Sequence, residues 1–152
     1  MKRTASWTGL ILGVFFCLLG LGSTPLGAGA VPQNLKPEDY KPLPQPGEKV
    51  PLGADYYFVY GFASPPKLGT TVMRVEIFSR DGRRDTTFVV KGEADMPSMR
   101  GAHKTGNKEF SLSAKGVYLL PVPLVMPGDW EFRFTLEKSG KTVLLGAYRF
   151  GV

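Results

Sequence analysis

The strongest constraint in this chain is a rhythm. From residue 54 to residue 152, short runs of alternating or β-branched residues are each closed by glycine or proline. WEFRFTLEK (130–138) places Trp130, Phe132, Phe134 and Leu136 on one face and Glu131, Arg133, Thr135 and Glu137 on the other. A period of two belongs to a strand with one apolar side. TTVMRVEIFSR (70–80) repeats the pattern, with Met73, Val75 and Ile77 opposite Arg74, Glu76 and Arg80. The other runs are ADYYFVYGFAS (54–64), DTTFVV (85–90), EFSLSA (109–114), VYLLPVPLV (117–125) and TVLLGAYRFGV (142–152). Pro65-Pro66, Asp81-Gly82, Lys115-Gly116, Pro127-Gly128 and Ser139-Gly140 punctuate them, and such pairs are turn chemistry. Two prolines within 117–125 predict an edge strand or one leaving its sheet. Seven runs at this spacing, with no helical period, predict an all-β fold: an immunoglobulin-like antiparallel β-sandwich of about seven strands. Trp130 is expected at its centre.

The N-terminal third is of a different kind. Lys2 and Arg3 precede an uncharged run, LILGVFFCLLGL (10–21), and Ala28-Gly29-Ala30 has the A-x-A form of a cleavage site. The run is short of the roughly 20 residues a spanning helix needs. Residues 1–30 therefore read as a signal peptide, with an uncleaved membrane anchor as the alternative. Residues 31–48 carry prolines at 32, 37, 42, 44 and 46 and read as a Pro-rich extended linker. The β-sandwich domain is expected over 49–152. The chain's single cysteine, Cys17, lies in the signal segment. The signal peptide implies a periplasmic or secreted location, and a protein starting near Val31 is cysteine-free and held together without disulfides.

Cleavage would leave seventeen basic residues against thirteen acidic ones, a charge of +4. The bases are dispersed along the chain, not massed in one block, so nucleic acid is not an expected partner. One histidine, His103, excludes a multi-histidine zinc site within one chain. Glu93, Asp95 and His103 could supply an acid–base pair. No nucleophile motif or paired-carboxylate spacing accompanies them, and an enzyme is not expected.

One stretch carries chemistry. EADMPSMRGAH (93–103) falls between predicted strands and holds Met96, Met99 and His103, while Met126 precedes the Pro127-Gly128 turn. Neutral thioethers with one imidazole suit Cu(I) and are poor ligands for zinc, calcium or magnesium. Asp95 would offset some of the ion's charge and Arg100 would oppose it. The competing reading is that these methionines fill gaps in the core, with His103 an ordinary loop residue and an exposed strand edge docking another protein.

Met96-Pro97-Ser98-Met99, Gly116-Val117-Tyr118 and Met126-Pro127-Gly128-Asp129-Trp130 together resemble the YtkA-like/FixH-like family of exported or membrane-tethered bacterial domains. The likeness spans roughly residues 50–152. It implies an immunoglobulin-like sandwich, a role in copper handling or in assembly of copper-containing respiratory oxidases, and a copper-handling or respiratory membrane protein as partner. Relatives often place Met or His directly after the MPxM segment, whereas Arg100-Gly101-Ala102 precedes His103 here. Membrane contact would come only through an uncleaved anchor.

Overall fold

A computed structural model describes residues 35–152. The signal peptide expected at 1–30 and the first linker residues, 31–34, lie outside the described residues. The described chain is all-β. Its strands are β1 (Lys41–Pro42), β2 (Val50–Leu52), β3 (Tyr56–Phe62), β4 (Gly69–Ser79), β5 (Val89–Asp95), β6 (Lys108–Glu109), β7 (Ser111–Leu112), β8 (Tyr118–Leu124), β9 (Asp129–Lys138) and β10 (Lys141–Gly151). They form two five-stranded sheets, β1-β10-β9-β5-β6 and β2-β3-β4-β8-β7. All pairs are antiparallel except β1 with β10. The sheets face each other across the core, as in a sandwich.

The alternation in the sequence sets the inner faces. Trp130, Phe132, Phe134 and Leu136 of β9 are fully buried, as are Met73, Val75 and Ile77 of β4 and Phe58 of β3. Phe134 packs against Phe58, Tyr60, Phe110 and Phe132. Each such ring contributes on the order of 1.5–3 kcal/mol on full burial. The β9–β10 hairpin turns at Ser139 and Gly140, both with positive φ (51° and 75°), the twist that a two-residue hairpin requires.

Three differences from the sequence reading have local causes. First, the strand expected at 85–90 begins at Val89 and runs to Asp95, so Glu93–Asp95 is strand and not loop. Asp85 accepts hydrogen bonds from the Thr87 N–H and hydroxyl (2.8 and 2.7 Å), a local turn that competes with pairing. Residues 85–88 thus carry the chain from one sheet to the other. Second, the run at 109–114 splits into β6 and β7, which belong to opposite sheets. Buried Phe110 stands between them.

Third, part of the proline-rich stretch joins the fold. β1 lies parallel to β10, Leu43 N–H donates to the Ala147 carbonyl (2.8 Å), and the Tyr60 hydroxyl donates to the Pro44 carbonyl. Leu43 packs over Gly146, where a Cβ would stand 2.7 Å from Leu43 Cδ2. Pro42 sits at the sheet edge, where a missing N–H costs no ladder bond.

Candidate functional site

The methionine loop is built by Asp95. At the end of β5 its buried carboxylate accepts the Met96 N–H (2.9 Å) and, through both oxygens, the Gly101 N–H (3.2 and 3.1 Å). Between these anchors Pro97–Met99 forms a 3-10 turn with proline at its start, a position that needs no donor. The chain then returns along β5. Thr105 N–H donates to the Ala94 carbonyl (2.9 Å), and Ala94 N–H donates to Thr105 Oγ1 (2.8 Å). His103 lies on this returning arm, half-buried.

Met96 is only 3% exposed and belongs to the core. Its methyl carbon lies 3.0 Å from the point where a Cβ on Gly128 would stand. Gly128, at φ +134°, leaves that space open and takes a backbone shape that other residues rarely adopt. The turn is anchored on both sides: Trp130 Nε1 donates to the Met126 carbonyl (3.1 Å), and Gly128 exchanges two backbone hydrogen bonds with Val152. Met126 is half-buried against the core. The structure thus brings Met96 to the Met126–Gly128 turn at one end of the sandwich. Met99 stands on the solvent side of the loop, 37% exposed.

Neither charge expected beside this loop stays free. Asp95 spends both oxygens on backbone donors, so it shapes the loop. Arg100 turns to Glu131, donating from Nη1 to Oε1 (3.1 Å). Among the described residues no group of three or more His, Cys, Asp or Glu side chains could hold a metal. Any metal reading therefore rests on the thioethers and His103, a soft neutral set fitted to Cu(I).

A second feature is one the sequence reading missed. Glu131, Arg133, Thr135 and Glu137 alternate outward as expected, yet all are buried. Arg133 donates from Nε to Glu131 Oε1 (2.9 Å) and from Nη1 to Glu93 Oε1 (3.0 Å), and Lys104 approaches Glu93 Oε2 at 3.1 Å. Arg149 Nε donates to Glu131 Oε2 (2.9 Å). The Tyr40 ring lies over the Arg133 guanidinium, 5.7 Å from ring centre to Cζ. Burial lifts the Tyr40 phenol above its ordinary pKa. Beside it opens a cleft of about 680 Å³ between the N-terminal segment and strands β9 and β10, lined in part by Tyr40, Leu43, Arg100, Glu131, Tyr148 and Arg149. The signal available in sequence was a run of alternating opposite charges. By itself that pattern reads as a solvated strand face.

No family model matches the chain, and no curated protein matches it in sequence. Solved structures match it in fold. FetP of uropathogenic Escherichia coli, expressed in the periplasm and studied as isolated, has a TM-score of 0.50 at 11% identity, over 70% of this chain and 93% of that one. A copper-bound variant of FetP matches with a TM-score of 0.50 and 11% identity, over 69% and 93% of the two chains. A DUF4426 family protein from Pseudomonas aeruginosa PAO1 has a TM-score of 0.49 at 14% identity, over 69% and 96%. At 11% identity the likeness to FetP is one of fold. Among the described residues no helix is long and apolar enough to cross a membrane.

Proposed function

We propose that this chain is an exported, non-enzymatic β-sandwich binding module that takes Cu(I) at its methionine end. Met96, Met99, His103 and Met126 are the donors, and the protein serves as a carrier or buffer in copper handling or oxidase assembly. Its place is the periplasm or the outside of the cell, and its partner a copper-handling or respiratory membrane protein. The observation that carries this reading is the seating of Met96 on Gly128, which unites the 96–103 loop with the Met126 turn. The pairing of Arg100 with Glu131 offsets part of the charge that would oppose a bound metal. The MPxM and MPGxW elements of the YtkA-like/FixH-like pattern add support, as does a copper-bound neighbour of the same fold. Neutral ligands leave a bound monocation uncompensated, which suits exchange better than storage. Holding Cu(I) as a soft, polarisable ion is the chemistry such a set supplies.

One observation favours a second reading, a metal-free interaction domain: Met96 is packed in the core like any apolar side chain. Anaerobic competition titration with Cu(I) separates the two. The proposal expects one Cu(I) bound by the wild type and weak or no binding by the Met96→Leu/Met99→Leu variant, which keeps side-chain volume and removes the sulfurs. Equal binding by both proteins, or binding by neither, leaves the packing reading.

A further inference from the structure

We infer that the cleft between the N-terminal segment and β9–β10 is a binding site for a small organic anion, whose carboxylate or phosphate group sits on Arg149 and Arg100. This site lies where the N-terminal segment runs beside β10 and does not depend on the copper reading.

The first argument is charge. Arg100, Arg133, Arg149 and Lys104 surround Glu93 and Glu131. That is four cations on two carboxylates, and Asp95, the third carboxylate nearby, is spent on backbone N–H groups. Asp129, exposed on the groove beside Arg149, matches the fourth cation in number, yet among the described residues it forms no ion pair with Arg149, whose outer donors stay open. Glu38 on the opposite wall is exposed and stands 3.9 Å from Lys36, which offsets it. Guanidinium groups held beside the low-dielectric wall of Tyr40 and Leu43 favour a counter-ion in the cleft.

The second argument is geometry. Arg100 and Arg149 are each anchored by one nitrogen on opposite oxygens of the same carboxylate, Glu131. That shared anchor makes the two guanidinium groups neighbours and limits their rotamers before any ligand arrives. Among the described residues Arg149 spends only Nε on a partner, and its side chain is 70% exposed. Its two Nη groups therefore remain as donors, and a guanidinium fork matches the spacing of carboxylate or phosphate oxygens. Under the Tyr40 ring, Arg133 Nη2 is buried and has no partner among the described residues, its side chain being only 6% exposed. A buried donor left unpaired is uncommon and costly.

The third argument is shape. A volume near 680 Å³ falls within the range of small-molecule pockets, and Tyr40, Tyr148 and Leu43 supply apolar walls. The ligand class is thus an oxyanion attached to a compact apolar or aromatic body.

The test uses the purified exported protein with phenyl phosphate and benzoate as probes and benzamide as the neutral control, followed by the arginine Nε–H resonances in NMR titrations. At least one of the two anions should shift Arg149 and Arg100 saturably, more weakly as salt is raised, while benzamide shifts neither. Arg149→Gln should lower affinity about tenfold or more and leave the Cu(I) titration unchanged. Arg74→Gln, on the other sheet, should bind as wild type does. The inference is overturned if neither anion binds saturably, if benzamide binds as well as the anions, or if Arg149→Gln binds them like wild type.

Discussion

Arg133 stands directly opposite Glu93 across the β5–β9 pair, and its Nη1 donates to Glu93 Oε1 at 3.0 Å on the face of the sheet turned away from the core. Both side chains are buried. Burying these charges costs several kcal/mol per ion unless each finds partners. Here Glu93 has Arg133 and Lys104, and Glu131 has Arg133, Arg100 and Arg149.

Removing the shared partner should therefore be expensive. Arg133→Met should destabilise the protein by about 3–5 kcal/mol, read from urea unfolding midpoints at neutral pH. A loss below about 1 kcal/mol would place the network among solvated surface pairs.

Trp130 is fully buried, and its indole N–H holds the Met126 carbonyl. Trp130→Ala should cost about 3–5 kcal/mol. Because the hydrogen bond also fixes the Met126 turn, Trp130→Phe should weaken Cu(I) binding more than its smaller stability cost would account for. Unchanged copper affinity in that variant would detach the turn from the site.

Leu43 over Gly146 tests whether the proline-rich segment belongs to the folded body. In Gly146→Ala the new Cβ would meet Leu43 Cδ2 at 2.7 Å and Cδ1 at 2.9 Å. Overpacking of this kind costs about 1–3 kcal/mol, and Leu43→Ala should remove most of that penalty. A double-mutant cycle with no coupling would mean that Leu43 is not held there.

Asp85 supplies the pH dependence. Burial alone would raise its pKa, but hydrogen bonds from Lys138 and Thr87, with the Lys138 charge, outweigh it and hold the carboxyl below its ordinary 3.8. A carboxyl depressed in the folded state adds stability that is fully present above the unfolded pKa and is lost as pH falls through the folded one. Wild type should thus be more stable than Asp85→Asn by a constant margin above about pH 5. The margin should shrink as pH falls below 3.8. A margin unchanged down to pH 2 would contradict the assignment.

Which residues face inward was legible from the chain alone. Trp130, Phe132 and Phe134, like Met73, Val75 and Ile77, alternate with polar neighbours, and a strand's period is a local property that needs no partner to be read. The turns at Asp81-Gly82 and Ser139-Gly140 were legible for the same reason, since positive φ is a demand on single residues. So was the gathering of Met96, Met99 and His103 in one short stretch. Contacts between distant segments decided the rest. Glu93 and Asp95 lower strand propensity, yet β5 runs through them because Arg133 of β9 compensates one and backbone donors of the following loop satisfy the other. Met96 became a core residue because Gly128, from the far side of the sequence, leaves room for its methyl group. Tyr40 lies over Arg133 on a face whose charges read as solvated in the sequence. Alternation reports only that a strand has two faces. Whether the polar one meets water depends on what folds over it, and that is set by the free energy of packing the whole chain.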